Sequence, residues 1–159
     1  MLRSWTDHDA PAALRLWGDA RVMAHVEAPL ADLDAAMRCV RAAQAAERDH
    51  GVCLWAVATR DDAAIIGACG LHRLDQQTLE LAFHFVPTVW RRGYATEAAR
   101  AVVTDAVEDP KLARIVAWAR PENAGSLGVL RRLGFTALGP DPTQDDELGF
   151  ELRADQLRP

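Results

Sequence analysis

A chain of 159 residues is long enough to bury one substantial core and too short for two, so we expect a single domain spanning residues 1–159. Half of the residues are hydrophobic and 26% are charged, a balance that excludes disordered and fibrous classes. The net charge of −5, with both signs scattered along the chain, argues against nucleic-acid binding, which needs a concentrated basic surface. It favours a cationic partner.

The start of the chain and its cysteines bear on where the protein works. The first residues lack the apolar stretch of a signal peptide, and no apolar run approaches the roughly 18 residues that span a bilayer. Cys39, Cys53 and Cys69 are odd in number, widely spaced and without a CxxC pair, which disfavours both a disulfide framework and a zinc site. We therefore expect a cytoplasmic protein with reduced core cysteines, no metal and no membrane contact.

The first fifty residues predict two helices. Residues 6–9 have the form of a capping box, which places the start of a first helix near Asp7. From residue 30 to about residue 49, apolar side chains recur at spacings of three and four before Gly51 ends the run. This pattern predicts a second, amphipathic helix.

A meander of three strands follows. Two short apolar segments, 53–59 and 64–71, are joined by a polar turn and predict an antiparallel pair. A third strand is predicted over 79–86, where large apolar residues alternate with a second set that includes Glu80 and His84. One face of this strand therefore belongs to the core, and the other carries titratable groups.

Two strand–helix units and a last strand complete the chain. The predicted elements are a helix over 95–107, a strand over 113–119, a helix over 123–133 closed by Gly134 and a strand over 148–152. The segment 141–147 is acidic and rich in turn residues. The order of elements predicts a mixed α/β fold of the α+β type, built around a predominantly antiparallel sheet.

A glycine turn at residues 87–98, between a predicted strand and helix, is the segment best suited to bind a ligand. Such a turn aims several unpaired N–H groups at one point, where the helix dipole also favours negative charge. Gly93 adopts backbone conformations that larger residues avoid. The site is completed by the charges of Arg91 and Arg92, the small Ala95 and the hydroxyl of Thr96. The residues alone leave two alternatives, a phosphate site and a purely structural turn.

Residues 90–98, Trp-Arg-Arg-Gly-Tyr-Ala-Thr-Glu-Ala, resemble the acetyl-CoA-binding motif Q/R-x-x-G-x-G/A of the GCN5-related N-acetyltransferase (GNAT) superfamily. The resemblance is strongest to the branch that acetylates ribosomal-protein N-termini, whose loop typically reads W-G-K-G-Y-A-T-E-A. That branch also has N-x-x-S followed by L-x-x-L-G-F, matched here by residues 123–126 and 130–135. Trp90 replaces the general Gln or Arg, as is normal in this branch. The resemblance extends over nearly the whole chain.

The resemblance implies a GNAT fold, a twisted and mostly antiparallel mixed sheet flanked by helices and splayed between strands four and five. It implies acetyl-CoA as co-substrate, transfer to a primary amine by direct attack, and the homodimers common among similar proteins. The acceptor is a protein N-terminus or a small-molecule amine. The implied cofactor-binding residues are Phe85, Val86, Arg91, Arg92, Gly93, Tyr94, Ala95, Thr96, Asn123 and Ser126, with backbone N–H groups near Phe85 and Val86 meeting the oxyanion.

Three residues are catalytic candidates. An alkylamine is protonated at neutral pH, so its attack on a thioester requires proton removal by a carboxylate, a histidine or water. Glu80 and His84 lie four apart on one strand and share a face, and Glu80 matches the family position better. Ser126 is the candidate proton donor to the leaving thiolate, because the single tyrosine, Tyr94, belongs to the phosphate loop. A structural role is the alternative for each.

Several other features have open interpretations. Arg131 and Arg132 either reach the 3′-phosphate of coenzyme A or form a solvated helix face. The short tail after Phe135 leaves little room for the final hairpin of relatives. The tail carboxylates either attract a cationic acceptor or are merely solvated: Asp141, Asp145, Asp146 and Glu147. The alternative to an enzyme is a non-catalytic acetyl-CoA-binding sensor or interaction domain.

Overall fold

The structure is a computed structural model that describes residues 1–140 and 146–157. The strands are β1 Leu2–Arg3, β2 Leu54–Ala58, β3 Ile65–Arg73, β4 Thr78–Phe85, β5 Arg114–Ala119, β6 Thr136–Pro140 and β7 Leu148–Arg153. The α-helices are α1 Ala10–Trp17, α2 Ala20–Met23, α3 Leu33–His50, α4 Tyr94–Ala106 and α5 Ala124–Leu133. Short 3₁₀ turns occupy Asp7–Asp9, Pro87–Val89 and Ala154–Gln156.

The strands form one seven-stranded sheet in the order β1-β2-β3-β4-β5-β7-β6. Every neighbouring pair is antiparallel except β4 and β5, which run parallel. The parallel ladder pairs only 78–80 with 114–116, although β4 continues to Phe85. Beyond Glu80 the two strands diverge, so the predicted mixed sheet and its splay are both confirmed.

Helices cover the two faces of the sheet and bury a separate apolar cluster on each. On one face, α4 and α5 pack over side chains that include Leu71, Ile115 and Leu130, each at most 1% exposed. On the other face, α1 and α3 bury Leu16 and Val40 completely. Each such large side chain contributes about 1.5–3 kcal/mol through loss of its exposure to water. These two clusters fix the positions of the helices that border the splay.

The N-terminal helices differ from prediction because local caps divide them. The Asp9 carboxylate accepts a hydrogen bond from the Thr6 N–H at 2.8 Å, confirming the capping box, but it closes a 3₁₀ turn before α1. The helix ends at Trp17, and the Asp19 side chain caps the short α2, which the sequence did not predict. Asp32 caps α3, which therefore begins three residues later than predicted.

The end of the chain corrects a second expectation. Gly134 ends α5 with φ +88°, and the chain passes directly into β6, which pairs antiparallel with β7. The final hairpin is therefore present, although the sequence left little room for it. β6 was not predicted because its exposed side chains do not alternate between apolar and polar. Of the predicted acidic tail, Asp141 and Asp145 lie outside the described residues.

The cysteines are all free thiols, and two of them are core residues as predicted. Burial raises the pKa of Cys53 and of Cys69 to about 12, so both thiols stay protonated. The prediction that Cys39 is a core residue is wrong, since Cys39 is half-buried on α3 and lines the central cleft. Among the residues described, no helix has the length and apolar character needed to cross a bilayer.

Candidate active site

The divergence of β4 and β5 opens a cleft of about 2620 Å³. This volume exceeds the roughly 300–1,000 Å³ of a typical small-molecule pocket and leaves room for two substrates. The cleft wall includes most of the predicted site residues, namely Glu80, His84, Phe85, Arg91, Gly93, Tyr94, Ala95, Thr96, Asn123 and Ser126. It also includes Arg132. Val86, Arg92 and Arg131 do not line it.

The register of β4 decides which backbone groups face the cleft. The Val86 N–H donates to the Ile66 carbonyl at 3.0 Å, as part of the ladder with β3. The prediction that the Val86 N–H binds the oxyanion is therefore wrong, because this N–H is already paired inside the sheet. Successive residues of a strand point their N–H groups to opposite sides, so those of Phe83 and Phe85 point into the gap left by β5. The sequence did not indicate this role for Phe83.

The turn before α4 has the form of an anion site. Gly93 caps the helix at φ +88°, Arg91 also has a positive φ of +62°, and no side chain in the described part of the chain caps the first turn. The first intrahelical bond is donated by the Glu97 N–H to the Gly93 carbonyl, so the three N–H groups before it have no helical partner. A Cβ placed on Gly93 would meet no described atom within 4 Å, so the space above the turn is open. These features fit a phosphate group.

A side chain of the same turn ties it to the splay. The indole Nε1–H of Trp90 donates to the Phe85 carbonyl at 2.6 Å, although the Trp90 side chain is 45% exposed. Arg91 and Arg92 are exposed, and neither forms an ion pair within the described ranges. The turn is thus anchored at its aromatic residue, and its two guanidinium groups remain available to an anion.

The start of α5 forms the opposite wall of the cleft. The Asn123 Oδ1 accepts a hydrogen bond from the Ser126 N–H at 3.0 Å, so Asn123 caps α5. Ser126 is half-buried, and its hydroxyl makes no hydrogen bond to any residue in the described part of the chain. The hydroxyl is free to act on a ligand in the cleft.

Glu80 lies on the α1 and α3 face of β4, as the predicted alternation requires. Burial raises the pKa of the Glu80 carboxyl, the negative charge of Glu147 raises it further, and His72 on β3 lowers it. His72 is the direct cross-strand neighbour of Glu80. A carboxylate with a raised pKa is a stronger base than an exposed one, which suits it to proton removal at neutral pH.

His84 shares that face but has a partner that the sequence did not reveal. Its Nδ1 accepts a hydrogen bond from the Trp17 indole Nε1–H at 3.1 Å. Burial lowers the pKa of His84 to about 4, and the charge of His72 adds to this effect. Nothing in the sequence links Trp17 to His84, because the two positions are 67 residues apart.

Glu80 shares the cleft wall with other carboxylates. Glu147 is half-buried there, which places one member of the predicted acidic tail in the site. Asp146 lies instead on a small separate depression. Glu27, Glu122 and Trp118 also line the cleft, and sequence reasoning assigned no binding role to them. They come from different elements, so no motif could have grouped them.

Residues 1–136 match the family model described as "Acetyltransferase (GNAT) domain". The chain belongs to the GNAT acetyltransferase family. It is 27% identical over 142 residues to the uncharacterized N-acetyltransferase YoaA of Bacillus subtilis (strain 168), covering 87% of this chain and 80% of YoaA. The predicted superfamily and the assignment to acyltransferases are confirmed.

Solved GNAT structures share the fold. RimL, a ribosomal L7/L12 α-N-protein acetyltransferase in complex with coenzyme A, superposes with a TM-score of 0.85 at 15% identity, covering 96% of this chain and 92% of RimL. Spermidine N-acetyltransferase from Vibrio cholerae, in complex with CoA and spermine, gives 0.83 at 15% identity, covering 99% and 96%. The two proteins are named for different acceptors, so the shared fold does not identify the acceptor amine.

Proposed function

We propose that this GNAT protein transfers the acetyl group of acetyl-CoA to a cationic primary amine by direct attack. The observation that carries the proposal is the meeting, in one cleft, of an anion-binding turn at Gly93 and a half-buried carboxylate at Glu80. The turn suits the pyrophosphate of the cofactor. The carboxylate suits an ammonium group that must lose a proton.

The cofactor half of the site is formed by α4, α5 and the open edge of β4. The unpaired N–H groups after Gly93 bind the pyrophosphate, with Arg91 adding positive charge. Asn123 and Arg132 lie along the same cleft and contact the rest of the cofactor. One of the N–H groups of Phe83 and Phe85 holds the thioester oxygen, since groups about 6.6 Å apart along a strand do not share one acceptor.

The chemical step uses three groups of this chain. Acetyl-CoA supplies an activated thioester, whose carbonyl carbon exchanges its C–S bond for a C–N bond to the amine. Glu80, directly or through one water, takes the proton that the ammonium releases before attack and passes it to solvent, and the second proton that the nitrogen loses after the C–N bond forms also goes to solvent. The N–H group of β4 that holds the thioester oxygen stabilises the negative charge that develops on it. Ser126 donates its hydroxyl proton to the departing sulfur and regains one from solvent.

The acceptor half of the site favours a positively charged molecule. Glu80 and Glu147 both line the cleft and interact electrostatically. An ammonium group would relieve the repulsion between these two carboxylates. A peptide N-terminus and a small polyamine both satisfy this requirement.

Amine-dependent release of thiol from acetyl-CoA tests the proposal. A panel of a polyamine, an aminoglycoside and short peptides with a free N-terminus is incubated with enzyme and acetyl-CoA, and products are identified by mass spectrometry. We expect one class to be acetylated in equal amount to the thiol released. Tight acetyl-CoA binding without turnover on any amine would favour the sensor alternative instead.

A further inference from the structure

The contact between Trp17 and His84 restricts what the histidine can do. An indole N–H is only a donor, so the His84 Nδ1 that accepts it at 3.1 Å carries no hydrogen. The neutral ring must then carry its hydrogen on Nε2. A charged ring would direct an Nδ1–H against the indole N–H. The contact therefore opposes protonation as well as selecting one tautomer.

The indole is held rigidly in this position. Trp17 is 7% exposed and meets the His84 ring edge-on, with centroids 6.4 Å apart and planes at 83°. Its other neighbour is Trp5, at 5.3 Å between ring centroids. The Trp5 indole N–H donates to the Leu54 carbonyl of β2 at 2.6 Å. The hydrogen bond of Trp5 thus holds the Trp5–Trp17 pair against the sheet, and the hydrogen bond of Trp17 holds His84.

The location of His84 gives this arrangement a consequence for the reaction. His84 directly precedes Phe85 and follows Phe83, whose N–H groups point into the splay, and its ring lies on the face that carries Glu80. Besides His84, the titratable cleft-lining groups outside α4, α5 and the turns next to them are Arg21, His25, Glu27, Cys39, His72, Glu80 and Glu147. Among these groups, the neutral His84 ring offers an uncharged N–H, which is suited to donate a hydrogen bond to an oxygen atom.

We infer that Trp17 is a positioning residue that holds His84 as a neutral Nε2–H donor to an oxygen atom in the acceptor half of the cleft. His84 therefore does not take the proton of the amine, which leaves Glu80 as the base. The lowered pKa of the imidazole agrees with this assignment. The catalytic consequence rests on the proposed acetyl transfer, whereas the tautomer is a property of the resting protein.

The tautomer is read by ¹⁵N NMR of the imidazole rings in the ligand-free protein. We expect His84 to show a protonated Nε2 and a bare Nδ1, and to remain neutral when the pH is lowered to about 6, well above its lowered pKa. Trp17→Phe removes the indole N–H and should raise the His84 pKa and mix the tautomers. Trp5→Phe is the matched control, because it removes an indole N–H of the same cluster that is bonded to Leu54 and not to His84. A protonated Nδ1 or a charged ring at that pH in the unmodified protein would overturn the inference.

Kinetics of His84 variants provide a second test that does not require Trp17→Phe to fold. Glutamine supplies an N–H donor but no base, so His84→Gln should keep kcat within about threefold, while His84→Ala should lose at least about tenfold. Equal kcat values in the two variants would contradict the role of His84 as an N–H donor. If the protein turns over no amine at all, the proposed function fails, and the NMR measurement still decides the tautomer.

Discussion

Replacing Gly93 with glutamate is expected to abolish acetyl-CoA binding in a protein that remains folded. The backbone at this position has φ +88°, which costs a residue with a side chain about 1–2 kcal/mol. No described atom lies within 4 Å of the new Cβ, so the side chain enters open space without a clash. That space is where the pyrophosphate would bind, and the added carboxylate repels it. Isothermal titration should show a loss of affinity of at least about a hundredfold.

Gly51→Glu is the matched control for this variant. Gly51 also has a positive φ, +70°, and a Cβ added there would likewise meet no described atom within 4 Å, but the residue ends α3 outside the cleft wall. The backbone cost and the charge change are therefore the same. Gly51→Glu should bind acetyl-CoA normally. Normal affinity in folded Gly93→Glu, or an equal loss in both variants, would contradict the phosphate site.

Glu80→Gln is expected to reduce kcat by about 10²–10⁴-fold, the usual contribution of a general base, with little change in acetyl-CoA affinity. The amide preserves the shape of the side chain but cannot take a proton. Because the pKa of Glu80 is raised in the free protein, the acidic limb of the kcat/KM profile should lie above the ordinary value of 4.5 and should disappear in the variant. Steady-state kinetics across pH measures both effects.

The free energy of unfolding of Glu80→Gln is a second measurement, which does not depend on turnover. Because the pKa of Glu80 is raised, folding favours the protonated carboxyl. The stabilising contribution of the protonated carboxyl is present below the ordinary pKa and is lost as the pH rises through the folded-state pKa. Glu80→Gln should therefore be at least as stable as the unmodified protein at neutral pH. Glu151→Gln is the control, since Glu151 pairs with Arg114 at 3.4 Å and lies outside the cleft wall. An unchanged kcat and pH profile in Glu80→Gln would remove it as the base.

The parts of the fold that the sequence predicted are those with a sustained period. The alternation along residues 79–86 and the spacing of three and four over 123–133 each reflect burial of one face, and both elements formed. α2 has only four residues, which is too short to show a helical period. β6 is exposed along nearly all of its length, so its side chains show no alternation. They form because Asp19 caps one and pairing with β7 completes the other.

The candidate site was predictable where its residues are contiguous. The turn around Gly93 can be recognised because one short segment supplies the glycine, the charges and the helix start. The orientation of the Val86 N–H depends on strand register, which residue types do not specify. The hydrogen bond from Trp17 to His84 depends on how α1 packs against β4. Long-range contacts of this kind follow from the folded chain alone.

The most direct test of acetyl-CoA-dependent function is thermal unfolding with and without acetyl-CoA. A ligand that binds only the folded state stabilises it by about 2.7 kcal/mol at a hundred times Kd. For a chain of this size that stabilisation corresponds to a rise in Tm of roughly 5–10 °C. We predict a rise of this order for the unmodified protein and none for Gly93→Glu. An unchanged Tm at millimolar acetyl-CoA would contradict the proposed cofactor and, with it, the assignment of the cleft.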